Sequence, residues 1–200
     1  MDKVGVIIAT YGNKEHWEKV KEPAWASIEA QTRMPDNWIW HHGLNLQNAR
    51  NTAAIQMSEM DWFIFLDADD TLDPRYIEKM LEGTGDIRQP STLGVWPDGT
   101  EDDEPALIPS KPLVEGNYIV IGAMCRADIF FRVGGFGPEA MFEDWALWLR
   151  MEEAGATIGQ CPEAVYRISV GKEGRNTGTF NKQDYWYHKI KNDARNRRRV

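Results

Sequence analysis

Short apolar runs alternate with amphipathic stripes and turn clusters along this chain, the rhythm of strands and helices in succession. Residues 4–9 (VGVIIA) form a continuous apolar run rich in β-branched side chains, the pattern of a strand covered on both faces. Thr10-Tyr11-Gly12-Asn13 closes it as a turn. Pro23 opens a predicted helix to Gln31, since a first-turn proline lacks only an N–H that has no helical partner anyway. Residues 38–41 predict a second strand, and 48–60 a helix on the stripe of Ala49, Ala53 and Ile55 to Met57. Residues 62–66 (WFIFL) are the most apolar strand candidate and run straight into Asp67-Ala68-Asp69-Asp70. Pro74 starts another helix to about Leu81. This alternation predicts an α/β fold with a mainly parallel central sheet flanked by helices.

The second half reads more loosely. Residues 97–105 (PDGTEDDEP) predict an exposed acidic loop, 117–122 a strand, and 126–133 a short helix closed by Gly134-Gly135. A helix is expected from Glu143 to about Ala154, a strand over 164–170, a flexible loop over 171–179, and a last helix from near Lys182. There is no solenoid-type repeat, and 200 residues hold one sizeable core.

A formal charge of −8 argues against a general nucleic-acid binder. The charge is uneven: Lys189, Lys191, Arg195, Arg197, Arg198 and Arg199 face one acid, Asp193, at the end of the chain. Such a tail offers weak contact to an anionic lipid, a diphosphate or an acidic partner; a solvated, frayed end is the simpler expectation. Cys125 and Cys161 have no metal-type spacing and suit a reduced compartment. The first apolar run is too short for a signal peptide, and nothing approaches the length of a transmembrane helix, so a cytoplasmic protein is expected. Nine tryptophans are many; Trp38, Trp40 and Trp62 sit in apolar runs and read as core.

The strongest chemical signal is the acidic cluster after the WFIFL strand. Ligands of open parallel sheets bind beyond the carboxyl ends of the strands. Asp67 and Asp69, two apart in an extended segment, project to one side. Their repulsion is tolerated when a cation lies between them, and oxygen ligands point to Mn2+ or Mg2+. Asp73 is placed to cap the helix begun at Pro74, leaving Asp67 and Asp69 for metal. Glu143-Asp144 is the second signal. Two acids in a helix's first turn are ordinary alone; their partnership with an acidic cluster and the approach Gly134-Gly135-Phe136-Gly137-Pro138 raises them to site candidates.

VIIATYGN, NARNTA, FIFLDADDTLDP and VGGFGPEAMFEDWALWLR, in that order over residues 4–150, resemble the inverting glycosyltransferases of family 2, which have the nucleotide-sugar-binding GT-A fold. The resemblance implies one glycosyltransferase domain over 1–200, with a nucleotide-sugar half at about 1–90, an acceptor half at about 91–181, and a C-terminal helix and basic tail at 182–200. It implies that Thr10, Tyr11 and Arg50 contact the nucleotide or its diphosphate. Asp69 would hold the metal, Asp67 the ribose or metal, with Asp70 a weaker participant. Asp144 would be the general base and Glu143 would shape the acceptor site. The implied reaction moves a sugar from a nucleotide diphosphate, a UDP-sugar first among them, to an acceptor hydroxyl.

Family members place an Asp after the second strand to read uracil; this chain has His41-His42-Gly43, one of which would meet the base. Adjacent strand residues point to opposite faces, which argues against a metal-binding histidine pair. Arg167, Lys172, Arg175 and His188 are lesser candidates for diphosphate or metal contact. Two alternatives remain at this point: a sugar-phosphate nucleotidyltransferase, whose glycine-rich phosphate loop ATYGNKEHW lacks, and a catalytically silent nucleotide-sugar-binding or scaffolding module.

Overall fold

The apolar run at 4–9 becomes β1 (Val4–Tyr11), buried from Val4 through Thr10 because neighbours cover both of its faces. The computed structural model describes residues 2–171 and 180–198, so the expected loop at 171–179, with Lys172 and Arg175, falls almost wholly outside the described residues. On one side of β1 lies β2 (Asn37–Gly43), on the other β3 (Trp62–Leu66), both parallel to it. Every side chain of β3 is buried, and each large apolar one contributes about 1.5–3 kcal/mol. β2 is an edge strand. Trp38 and Trp40, expected in the core, are therefore only partly covered: Trp38 leans on Trp25, and the Lys14 and Lys21 ammonium groups lie over Trp40.

Helices pack where the stripes predicted, with shifted ends. α1 (Lys14–Val20), not anticipated, starts where Asn13 accepts the His16 N–H, and α2 (Glu22–Glu29) carries Pro23 in its first turn. α3 (Leu46–Gln56) starts earlier than expected because Asn45 caps it, accepting the Asn48 N–H at 2.7 Å. β3 leads through Asp67 to Asp70 into the two-residue β4 (Thr71–Leu72). α4 (Tyr76–Glu82) begins two residues beyond Pro74; Asp73 accepts the Arg75 N–H at 3.2 Å and so caps the turn before the helix rather than the helix itself.

In the second half, β5 (Ile87–Val95) escaped prediction because Pro90 and polar neighbours interrupt its apolar character. It forms against a longer-than-expected β7 (Ile158–Ser169), in parallel, with a register shift at Pro90/Ser91 that absorbs the proline. The predicted strand at 117–122 is absent; a 3-10 turn (Leu113–Glu115) and an irregular segment bury Tyr118, Ile119 and Ile121 instead. β6 (Met124–Arg126) then slips antiparallel between β3 and β5. α5 (Ala127–Arg132), α6 (Glu143–Glu153) and α7 (Phe180–Arg197) complete the described chain.

The sheet order is β2-β1-β3-β6-β5-β7-β4. Three pairings are parallel and three antiparallel, so the parallel character expected throughout holds in β2-β1-β3 and β5-β7 but not where β6 and β4 join. The C-terminal helix is no frayed tail over its described length. Ile190 and Ala194 are buried, Tyr187 stacks on Trp145 at 5.2 Å, Arg197 pairs with Glu153 at 2.6 Å, and Arg198 pairs with Glu152. Among the described residues, no helix is long and apolar enough to cross a membrane.

Candidate active site

The carboxyl ends of β1 and β3, the end of β7 and the start of α6 open onto one cavity of about 750 Å3. Thr10, Tyr11, Arg50, Asp67, Asp69, Glu143 and Asp144 all line it. Acids some 75 residues apart in sequence thus meet at one cleft, as the motif order implied.

Arg50 organises the meeting. It sits on the inward face of α3 beside Ala49, Ala53 and Ala54, with only 2% of its surface exposed. One guanidinium nitrogen donates to Asp67 Oδ1 at 2.6 Å and another to Glu143 Oε1 at 2.9 Å, and the group lies over the Phe136 ring. Burial works against its charge, but Asp67 and Glu143 outweigh that and hold it protonated. Arg50 therefore bridges the two halves of the site; it does not stand clear for a diphosphate. The neighbouring Asn51 clasps the backbone of Phe136, accepting its N–H and donating to its carbonyl, both at 2.9 Å. Gly135 permits that clasp: its φ is +68°, and a Cβ there would meet Asn51 Oδ1 at 2.5 Å.

Beyond β3 the acids divide. Asp69 is exposed to the cleft, Asp67 is half-exposed beside Arg50, and Asp70 turns inward to accept the Ser169 N–H of β7 at 2.8 Å. The Tyr166 hydroxyl accepts the Asp67 N–H at 3.2 Å, fixing the strand end from below. Surrounding protein and the charge of Asp67 raise the pKa of Asp69, and the same two causes push Asp70 up to about 8. Such crowding of negative charge is what a hard cation relieves. Among the described residues no three His, Cys, Asp or Glu side chains gather as a metal group. The cleft-facing carboxylates of Asp67 and Asp69 are the oxygen donors that an ion such as Mg2+ would take, with water and substrate oxygens filling its shell.

Glu143 and Asp144 begin α6 directly after Phe142, which has a left-handed backbone, φ 57°. This is the only non-glycine positive φ among the described residues, at a cost of about 1–3 kcal/mol, and it turns the first helical turn into the cavity. Asp144 accepts from Asn117 Nδ2 at 3.0 Å. Burial, then the negative Glu143 beside it, push its carboxyl up to about 6, against the pull of the Trp145 N–H, Arg50 and Asn117.

At the nucleotide end, Thr10 is buried and its hydroxyl is engaged, accepting from Trp40 Nε1 at 2.8 Å and lying 3.0 Å from His42 Nδ1. Tyr11 is more open, and its carbonyl accepts from Trp17 Nε1 at 2.7 Å. His41 and His42 border a second, shallower cavity with Gly12 and Asn48. Arg167 pairs with Glu101 at 2.5 Å and Asp73 at 3.6 Å, and His188 pairs with Asp184 on α7; neither lines the main cavity. Asn51 and Asn117 were missed from sequence. The pairing of NARN with GGF held a hint of the first; the second lies in a stretch with no motif.

Comparison with known proteins agrees with this architecture. Residues 38–105 match the family model described as Glycosyl transferase family 2. That match covers about a third of the chain. No curated protein sequence matches it. Among solved structures, S. aureus TarS 1–349 in complex with UDP-GlcNAc superposes with a TM-score of 0.72 at 15% identity, over 96% of this chain and 66% of that one. The complex of the same TarS piece with UDP gives 0.67 at 16% identity, over 96% and 65%. The longer TarS structure gives 0.64 at 15% identity, over 84% of this chain and 37% of that one. This chain thus spans between about a third and two thirds of the structures it matches. At such identity the likeness establishes the GT-A-like fold: a curled mixed sheet flanked by helices.

Proposed function

We propose that this family 2 domain transfers a sugar, with inversion, from a nucleotide diphosphate to an acceptor hydroxyl, using Asp144 as general base. The observation that carries the reading is the shared cavity: Asp69 and Asp144 line one cleft of about 750 Å3, large enough for a nucleotide sugar. UDP and UDP-GlcNAc occupy the TarS structures of like fold, which supports a UDP-sugar as the donor here.

Asp144 accepts the proton of the acceptor hydroxyl while that oxygen forms its bond to the anomeric carbon. The bond from that carbon to the diphosphate oxygen breaks on the opposite face, and its electron pair leaves with the nucleotide diphosphate. A carboxyl raised to about 6 is still ionised at neutral pH, yet is a stronger base than an ordinary aspartate. Glu143, held by Arg50, keeps the base at the edge of the cleft. Asp69, with Asp67, would hold Mn2+ or Mg2+, which supplies charge neutralisation for the diphosphate.

UDP-GlcNAc hydrolysis with Mn2+ and with Mg2+ tests the reading. Activity should fall roughly 10²–10⁴-fold in Asp144→Asn with UDP still bound, and Asp69→Ala should lose metal-dependent UDP binding. Turnover near wild type in Asp144→Asn would remove the base from this mechanism.

A further inference from the structure

Asn117 has no place in the site read from sequence, yet it lines the cavity and reaches Asp144 from a segment without regular structure. Both ends of its amide are committed. Nδ2 donates to Asp144 Oδ2 at 3.0 Å, and Oδ1 accepts the Ile119 N–H at 3.1 Å. A flip would set oxygen against carboxylate oxygen and N–H against N–H, so the donor can face only Asp144.

The segment is itself pinned from three elements. Trp145 of α6 donates to the Leu113 carbonyl at 2.8 Å, Tyr187 of α7 to the Glu115 carbonyl at 3.1 Å, and Gln89 of β5 to the Tyr118 carbonyl at 2.9 Å. An irregular loop strapped this firmly, with its one cavity-facing amide aimed at a carboxylate, is built to hold that carboxylate. We propose that Asn117 is a positioning residue: its amide fixes the rotation of the Asp144 carboxylate so that Asp144 meets the acceptor hydroxyl in its charged form. The inference rests on the reading of Asp144 as the base.

The charged groups that act on Asp144 are Glu143 on its own helix and Arg50 from α3; the first raises its pKa, while Arg50 and the Asn117 amide lower it. Removing the amide leaves only the Trp145 N–H and Arg50 to oppose Glu143. Asn117→Ala should slow UDP-GlcNAc hydrolysis roughly tenfold or more, the scale of a hydrogen bond to a charged group. The acid limb of its pH profile should move to higher pH, with KM for UDP-GlcNAc unchanged. Asn117→Asp, the same shape without the donor, should move the limb further, and Asn117→Ser should recover part of the rate. Carboxyl-carbon NMR should show the Asp144 titration moving upward in Asn117→Ala, a readout that needs no turnover. In an Asp144→Asn background, Asn117→Ala should have no further effect on rate.

A wild-type rate and pH profile in Asn117→Ala, while Asp144→Asn is inactive, would overturn the positioning role and leave the base standing. An equal loss in the Asp144→Asn background, or a raised KM with kcat unchanged, would overturn it too. An active Asp144→Asn would instead dismiss the base, whatever Asn117 does.

Discussion

Replacing the proposed base should make the protein more stable, and only above a defined pH. In the fold the Asp144 carboxyl is raised from 3.8 to about 6, so its charged form is disfavoured by 6 − 3.8, or about 2 pK units. At 1.36 kcal/mol per unit that is about 3 kcal/mol. Partial exposure to the cleft and the replacement of its contact with Asn117 reduce the figure to about 1–3 kcal/mol. The sign follows from proton binding. Between about pH 4 and 6 the folded chain holds a proton that the unfolded chain has lost, so this group's contribution falls as pH rises and then levels off. Asp144→Asn carries no such penalty. At pH 8 the variant should melt higher than wild type by roughly 2–12 °C, at about 2–4 °C per kcal/mol for a chain of this length. Near pH 4.5 the wild-type carboxyl is protonated in the fold but still mostly ionised in the unfolded chain, so the gap should shrink to about a third and close only below about pH 3.5. Thermal unfolding followed by circular dichroism at both pH values measures it. A gap that does not change with pH, or a variant less stable at pH 8, would refute the argument.

Two further perturbations probe the scaffold of the site. Arg50→Met takes the shared guanidinium from the buried Glu143 and the half-exposed Asp67 and should cost about 3–5 kcal/mol in chemical denaturation; a loss under about 1 kcal/mol would mean that the bridge is not structural. Gly122→Ala would drive a Cβ to within 2.1 Å of the buried Tyr166 ring, whose hydroxyl accepts the Asp67 N–H. It should destabilise by about 1–3 kcal/mol, as overpacking does, and weaken Mn2+-dependent UDP binding in calorimetry; an unperturbed affinity would separate Tyr166 from the site.

The elements that carry chemistry were legible because they are local. WFIFL is buried on both faces, so its apolar run is unbroken and its carboxyl end marks the cleft. The acidic start of α6 and the glycine approach to it are also contiguous in sequence. What escaped prediction depends on distant partners. β5 exists because β7 pairs with it despite Pro90, and the basic end of the expected C-terminal helix is ordered by Glu152 and Glu153 of α6. Arg50 was read as a ligand for the substrate because its motif suggests one; that two acids already claim it is visible only when residues 67 and 143 come together. The same holds for Asn117, which no local pattern distinguishes from any loop asparagine.

The charge of the cleft is the argument for placing a cation in the proposed reaction. Among the described residues that line it, Asp67, Asp69, Asp70, Glu143 and Asp144 stand against Arg50 alone, and Arg50 already serves Asp67 and Glu143. A nucleotide diphosphate adds negative charge to this excess, so on these residues alone the cleft would repel its own donor. The upward pKa directions of Asp69, Asp70 and Asp144 express the same excess, since each carboxyl is easier to protonate than an isolated one. Protonation cannot be the remedy at neutral pH for Asp144 if it acts as the proposed base, which must be ionised. Under the proposed mechanism, Asp69 would hold a divalent ion that offsets the charge at the β3 end and would leave the α6 end charged. That division assigns separate tasks to the exposed Asp69 and the proposed base Asp144, which line one cavity, with buried Arg50 joining their neighbours Asp67 and Glu143.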